Sequence, residues 1–132
     1  MSLVAAWPEP AKFPNFTAAE MACKCGCGRL PDPALMEWLQ KVRFAYGHPM
    51  RITSGARCEK HNAAVGGAPD SMHVQGMAAD VAVYGPYAMN LIGVAKLWGV
   101  QGLGLKQHGP QAGRMVHLDI GSRETPTLWT YP

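Results

Sequence analysis

The chain has 132 residues, of which 48% are hydrophobic and 16% are charged, and its formal net charge at pH 7 is +3. This composition indicates a globular domain and excludes a disordered or fibrous protein. The lysines and arginines are scattered and form no basic run, so we expect no nucleic-acid partner despite a pI near 8.8. The N-terminus lacks the charged and apolar regions of a signal peptide, and no window is long enough to span a membrane. We therefore expect the protein to be made in the cytoplasm.

The first part of the sequence predicts a surface lead-in followed by two helices. Residues 1–15 are rich in proline and are expected to lie extended on the surface. Thr17 and Glu20 have the spacing of a capping box, which predicts the start of a short helix. Beyond Pro33, hydrophobic residues recur at helical spacing, and a glycine ends the pattern. These residues predict an amphipathic helix: Leu35, Leu39, Val42 and Tyr46, followed by Gly47.

The remaining sequence alternates short strands with helices. The predicted strands are residues 50–54, 77–84, 100–105 and 114–120, and the predicted helices are residues 59–65 and 87–98. Because two helices come first and all the strands follow them, we predict an α+β fold with a small, mostly antiparallel sheet and helices packed on it. Residues 1–132 are predicted to form one domain.

A histidine and an aspartate, His73 and Asp80, lie seven positions apart, with the small residues Gly76, Ala78 and Ala79 between them. A catalytic zinc site takes three protein ligands with nitrogen, oxygen or sulfur atoms and leaves one position for water. Small spacers let the backbone turn tightly and keep bulk away from a metal. We therefore predict that His73, in a loop, and Asp80, in a strand, converge on a zinc ion. His117, in a later strand with apolar neighbours, is the candidate third ligand.

Three motifs follow one another along the chain: SGAR at residues 54–57, SMHVQGMAAD at residues 71–80, and MVHLDIG at residues 115–121. They resemble the SGxR, SxHxxGxAxD and late-histidine pattern of the zinc D-Ala-D-Ala carboxypeptidase family. This group of peptidoglycan-cleaving metallopeptidases includes bacterial carboxypeptidases and many phage or prophage lysins. The segment NFTAAEMACKCGCG also resembles the N-terminal part of the phage-type members. The resemblance implies a Hedgehog/D-Ala-D-Ala peptidase-like fold.

The resemblance also implies roles for particular residues. One catalytic Zn²⁺ would have His73, Asp80 and His117 as ligands, and Arg57 would bind a substrate carboxylate or stabilise the tetrahedral oxyanion. The implied reaction is hydrolysis of a peptide bond in the stem peptides of bacterial peptidoglycan, by a carboxypeptidase or an endopeptidase. We expect a monomer that acts on the cell wall after release or that is carried on a phage particle.

One position departs from the family pattern. Many relatives place a carboxylate three residues before the last histidine, where it acts as general base, but this chain has Arg114 there. Asp119 is expected on the same strand face as His117. Asp119 therefore has two candidate roles, as general base or as an acceptor that orients His117. The departure also keeps open a second function, a non-catalytic zinc domain that binds the cell wall or serves virion assembly.

Four cysteines form a separate pattern: Cys23, Cys25, Cys27 and Cys58. Three states are open for them, namely at least one disulfide that involves Cys58, a structural metal site, or free thiols. Alternate residues of an extended segment point to opposite sides, so the first three cysteines can face one metal only if Gly26 bends the chain. A disulfide or a metal ion would tether the N-terminal segment beside Arg57, and this link is expected to stiffen the substrate cleft.

Overall fold

The computed structural model describes residues 12–132 of the chain. Within these residues, helices and strands alternate after an initial helical part. The helices are α1 (Ala18–Met21), α2 (Pro33–Tyr46), α3 (Glu59–Ala64) and α4 (Gly85–Leu97). The strands are β1 (Arg51–Ser54), β2 (Ala78–Ala82), β3 (Gly102–Lys106), β4 (Met115–Asp119) and β5 (Thr127–Thr130). None of the helices in this part of the chain is both long enough and apolar enough to cross a bilayer.

The strands form one sheet in the order β1-β2-β4-β3-β5. All neighbouring strands are antiparallel except β3 and β5, which are parallel. The predicted α+β class with a mostly antiparallel sheet is therefore confirmed. β5 was not predicted from the sequence; it is four residues long and lies mostly exposed at the edge of the sheet.

Local sequence signals account for the first two helices. The side chains of Thr17 and Glu20 bond each other's backbone N–H groups, which forms the predicted capping box of α1. The Asp32 side chain accepts a hydrogen bond from the N–H of Ala34 at the start of α2. Gly47 ends this helix with a φ of 78°, in the left-handed region that glycine adopts without strain.

The hydrophobic core lies on one face of the sheet, beneath α2 and α4. The predicted apolar face of α2 is buried there, together with alternate residues of the strands. The strand residues of this core include Ile52, Ala79, Val81, Leu103, Val116 and Leu118. Because side chains alternate along a strand, the residues between them lie on the opposite face. That opposite face holds Asp80, His117 and Asp119.

The end of the proline-rich lead-in differs from its prediction. Residues 1–11 lie outside the described residues. Residues 12–15 do not run extended over the surface, because the N–H of Phe16 bonds the carbonyl of Phe13 in a turn. The Phe13 side chain is 2% exposed and belongs to the core. Its large apolar ring stabilises the fold more when buried than when exposed, and this outweighs the preference of the neighbouring prolines for extended surface chain.

Candidate metal centre

Residues on neighbouring strands form one row across the sheet on the face opposite the core. Asp80 on β2 pairs with His117 on β4, and His117 pairs with Gly104 on β3. Gly104 in turn pairs with Trp129 on β5. A Cβ atom on Gly104 would lie 2.6 Å from Nε1 of Trp129, so glycine at this position makes room for the indole beside His117.

His73 reaches this row from the loop that precedes β2. The loop turns tightly at Gly76, whose φ is 74° and whose Cβ position lies 2.9 Å from the backbone nitrogen of Asp32. A larger residue there would be strained and would collide with backbone, which explains the small spacer between the two predicted ligands. The N–H of Arg57 donates to the His73 carbonyl at 3.0 Å and fixes the loop from the other side.

The structure brings together the three predicted zinc ligands. Asp80 Oδ1 lies 3.2 Å from Nε2 of His73 and 3.0 Å from Nδ1 of His117. One ligand atom from each residue lies within 4.8 Å of the other two. The three residues are 2%, 6% and 4% exposed for His73, Asp80 and His117, respectively. A cluster of two imidazole nitrogens and one carboxylate oxygen is a donor set that suits Zn²⁺ with a fourth position for water.

The second nitrogen of each histidine is held by a hydrogen-bond acceptor. Nδ1–H of His73 donates to the carbonyl oxygen of Gly55 at 2.7 Å. Nε2–H of His117 donates to Oδ2 of Asp119 at 2.8 Å. Nε2 of His73 and Nδ1 of His117 both face Asp80 and are the nitrogens that would bind a metal ion. Acceptors of this kind orient metal-binding histidines and raise their basicity.

The ionisation of Asp80 also fits a ligand. Burial raises the pKa of its carboxyl group, but hydrogen bonds and charge from His117 and His73 more than offset burial and hold the pKa below its ordinary value. For His117, burial lowers the pKa, and the hydrogen bonds to Asp119 and Asp80 outweigh it, so the pKa is raised. The carboxylate is therefore ionised in the form that binds a cation.

Asp119 lies behind His117 and is completely buried. Its carboxylate accepts Nε2–H of His117 and two hydrogen bonds from Arg123, at 3.2 Å to Oδ1 and 2.7 Å to Oδ2. Burial raises its pKa, but the bonds from His117 and Arg123 prevail and lower it. A Cβ atom on Gly102, which pairs with Asp119, would collide with this carboxylate. Asp119 contacts Nε2 of His117 and Asp80 contacts Nδ1, so the imidazole ring lies between the two carboxylates.

The predicted cation Arg57 borders the same centre. Its Nε donates to Oγ of Ser54 and its NH1 donates to Oδ1 of Asn62, both at 3.1 Å. Its NH2 lies 3.5 Å from Oδ2 of Asp80, the carboxylate oxygen that does not contact the histidines. The Arg57 side chain is 15% exposed. These contacts hold the guanidinium at the edge of the group formed by His73, Asp80 and His117, the ligand cluster. The guanidinium also faces the cleft.

The ligand cluster opens into a cleft of about 510 Å³. Sequence reasoning missed several residues that line it, namely Asp70, Arg123, Trp129 and Tyr131. The Trp129 ring lies 5.0 Å from the His117 ring between centroids, and the Arg123 guanidinium lies 5.2 Å from the Trp129 ring. Burial raises the pKa of Tyr131, so its hydroxyl stays protonated and can donate a hydrogen bond. The aromatic residues in TLWTY, residues 127–131, could have indicated that this segment lines the cleft.

Arg114, the residue at the departing position, lies away from the cleft. It precedes β4 and lines a second cavity of about 750 Å³ together with Tyr84 and Tyr87. Its Nε donates to the Gly109 carbonyl at 3.0 Å, and its guanidinium lies 6.0 Å from the Tyr84 ring. The side chain three positions before His117 therefore does not face the ligand cluster.

All four cysteines are free thiols in the structure, and their sulfur atoms gather in one cluster. Burial raises the pKa of the Cys23 thiol, but backbone and thiol hydrogen bonds from Cys25 and its neighbours prevail and lower it to about 7. The hydrogen bond with Cys23 raises the pKa of Cys25 to about 12. The two shifts are opposite in direction because the thiols of Cys23 and Cys25 share one hydrogen bond.

Comparison with known protein families gives one match. The family model described as Peptidase M15 matches residues 14–119, which extend from the turn before α1 through the last residue of β4. The matched part contains all three residues of the ligand cluster and all four cysteines. No match was found among curated proteins.

Proposed function

Because the chain belongs to the peptidase M15 family, we propose that this metallopeptidase hydrolyses peptide bonds in the stem peptides of bacterial peptidoglycan. The activity would be that of a D-Ala-D-Ala carboxypeptidase or of an endopeptidase. The observation that carries the proposal is the convergence of His73, Asp80 and His117 at the wall of a cleft large enough for a short peptide. These residues would hold one catalytic Zn²⁺.

The ligand cluster and the residues around it would have different roles in the reaction. Zn²⁺ bound by such residues supplies a Lewis acid and activates water for attack on an amide carbonyl. Arg57 offers a fixed guanidinium for the carboxylate of a peptide terminus or for the oxyanion of the tetrahedral intermediate. Trp129 and Tyr131 form an aromatic wall on the side of the cleft opposite the loop that carries Arg57. The Tyr131 hydroxyl adds a hydrogen-bond donor to this wall. A peptide that lies between them would place its scissile bond at the ligand cluster.

We assign Asp119 to positioning and not to proton transfer. Its oxygens already accept three hydrogen bonds, it is fully buried, and the His117 ring stands between it and the other ligands. Among the described residues that line the cleft, Asp70 is the carboxylate other than Asp80. It is exposed and lies on the loop that leads to His73. Asp70 is therefore our candidate for the group that accepts the proton of the attacking water.

The test is digestion of purified peptidoglycan with the wild-type protein, with and without a chelator, followed by mass spectrometry of the released muropeptides. The proposal predicts new peptide termini that disappear after chelation and return with zinc. The variant His73→Ala should lose one zinc equivalent relative to the wild type and lose cleavage. His61→Ala is the matched control, because His61 lies outside the ligand cluster. Intact muropeptides after treatment with fully zinc-loaded protein would refute the proposed reaction.

A second candidate is a zinc domain that binds the cell wall or serves virion assembly without catalysis. The observation in its favour is Arg114, which replaces a carboxylate and lies outside the cleft. This function predicts zinc binding and cosedimentation with peptidoglycan, but no new peptide termini. The digestion experiment separates the two functions, since only an enzyme changes the muropeptide masses.

The proposed substrate also sets the place of action. We propose that the protein works on the cell wall after release or as part of a phage particle. All three ligand residues and Arg57 belong to one chain, which supports a monomer as the active unit. Size-exclusion chromatography with light scattering would test this, and activity found only in an oligomer would contradict it.

A further inference from the structure

The four cysteine sulfurs have the spacing of ligands around one metal ion. The Sγ–Sγ distances are 3.4 Å between Cys23 and Cys25, 3.9 Å between Cys23 and Cys58, and 3.7 Å between Cys25 and Cys58. The sulfur of Cys27 completes a group in which all ligand atoms lie within 4.8 Å of one another. Four sulfurs at about 2.3 Å from a tetrahedral zinc ion are separated by about 3.8 Å. A disulfide would instead require a separation of about 2.05 Å.

The chain bends where this geometry needs it to bend. Gly26 and Gly28 have φ values of 85° and 86°, in the left-handed region. The N–H of Gly26 bonds the carbonyl of Cys23 at 3.2 Å, and the N–H of Cys23 bonds the carbonyl of Arg29 at 2.9 Å. These turns replace an extended segment, in which alternate cysteines would point to opposite sides. They bring the three cysteines of CKCGCG to a common side.

Backbone N–H groups point at two of the sulfurs. The N–H of Cys58 donates to Sγ of Cys23, and the N–H of His61 donates to Sγ of Cys58, both at 3.4 Å. Such donors stabilise negative charge on sulfur, and the thiolate is the form that binds a metal. Four thiolates around one divalent ion carry a net charge of −2, so donors of this kind also offset the charge of the filled site.

We propose that Cys23, Cys25, Cys27 and Cys58 bind a structural zinc ion, separate from the ion held by the histidines. The site would use four protein ligands and leave no position for water, which is the arrangement of structural and not catalytic zinc. Binding would deprotonate the thiols and release their protons to solvent. The ion would link the turn after α1 to the segment between β1 and α3. This inference does not depend on whether the protein hydrolyses peptidoglycan.

The test begins with metal analysis of the wild-type protein after purification with a thiol reductant and dialysis against zinc. We expect two zinc equivalents per chain. Cys27→Ser should bind one equivalent, because it removes a ligand while its exposed side chain leaves the core intact. Lys24→Ala is the matched control, since it changes the same segment without removing a sulfur, and it should keep two equivalents.

Substitution with Co²⁺ then identifies the ligands. Thiolate ligands give an intense near-ultraviolet charge-transfer absorption, whereas the histidine and aspartate site contains no sulfur. We expect this absorption in the wild type and in His73→Ala, and a marked loss of it in Cys27→Ser. One zinc equivalent in the wild type with no such absorption would overturn the proposal. A disulfide among these cysteines, found by mass spectrometry of the protein purified with zinc and reductant, would also overturn it. Both wild-type measurements decide the matter even where Cys27→Ser fails to fold.

Discussion

The substitution Asp119→Asn tests how the carboxylate behind His117 supports the ligand cluster. Asparagine has nearly the shape of aspartate, but it has one acceptor oxygen where the carboxylate has two, and it has no charge. In the structure, three hydrogen bonds from His117 and Arg123 converge on the carboxylate. An amide NH₂ at either oxygen position would face one of these donors. The variant must therefore lose at least one of the three bonds that hold this side chain behind His117, and its neutral oxygen is a weaker acceptor for Nε2–H of His117 than the carboxylate.

The expected magnitude follows from the contact that is lost. Loss of an outer-shell partner of a metal-binding histidine typically costs about 10- to 100-fold in metal affinity or activity. We expect the zinc affinity of the histidine site to fall within this range, and saturating zinc to restore much of the turnover. Because Asp119 is 0% exposed, the unpaired donor should also lower the free energy of unfolding by about 1–3 kcal/mol. The assays should accordingly be run well below the unfolding midpoint of the variant.

The two measurements are zinc affinity by competition with a chromogenic chelator and muropeptide release at saturating zinc. Glu124→Gln is the control, because it removes an exposed carboxylate from the same segment. A general base contributes about 10² to 10⁴ in rate. Near-native zinc affinity with a loss of at least about a hundredfold in turnover at saturating zinc would refute the positioning role and make Asp119 the base.

Two further substitutions address the cleft. Arg57→Ala should keep its zinc but lower kcat by about 100-fold or more, the usual cost of losing an oxyanion donor. Arg51→Ala, on the exposed side of β1, is the control. Equal muropeptide release by both variants would remove Arg57 from the site. Asp70→Asn should leave the zinc content and the melting temperature unchanged and reduce turnover by about 10² to 10⁴ if it is the proton acceptor. Native turnover in this exposed-loop variant would reject the assignment.

The cluster of His73, Asp80 and His117 could be predicted from the sequence because short motifs determine the positions of these residues. His117 and Asp80 stand in strands whose alternation puts them on the polar face, and the spacing to His73 contains the glycine that the loop requires. The amphipathic pattern of α2 was equally local, since its buried residues Leu35, Leu39, Val42 and Tyr46 recur at intervals of about one turn. In each case, the pattern that puts a residue on its face lies within its own strand, loop or helix.

The missed features depend on contacts between distant parts of the chain. β5 has four mostly exposed residues, and its stability comes from parallel pairing with β3, which no local pattern indicates. Arg123 lies outside regular structure, so its position four residues after Asp119 did not predict an ion pair. The cysteine cluster was one of three states that the sequence left open, because it depends on left-handed glycines and a glycine permits this conformation without requiring it.

The loop of residues 54–58 connects the two proposed metal sites. The carbonyl of Gly55 accepts Nδ1–H of His73, and Cys58 belongs to the sulfur cluster. The N–H of Ala56 bonds the carbonyl of Met21 at 2.9 Å, and a Cβ on Gly55 would collide with the same backbone, so the loop packs tightly against the end of α1. An ion held by the cysteines would tie down both sides of this contact. Its loss should therefore loosen the partner that orients His73.

The coupling between the sites leads to a prediction with two independent readouts. Cys27→Ser should weaken zinc binding at the histidine site by about tenfold, the lower end of outer-shell effects, since Gly55 is displaced and not removed. Coupling between two binding sites is reciprocal, so filling the histidine site should tighten metal binding by the cysteines by the same factor. Competition titrations that monitor Co²⁺–thiolate absorption, with and without zinc at the histidine site, measure the second effect. If Cys27→Ser folds and binds zinc at the histidine site with native affinity, the loop is held by its contacts with Met21 and His73, and the sulfur cluster stabilises the fold without supporting the cleft.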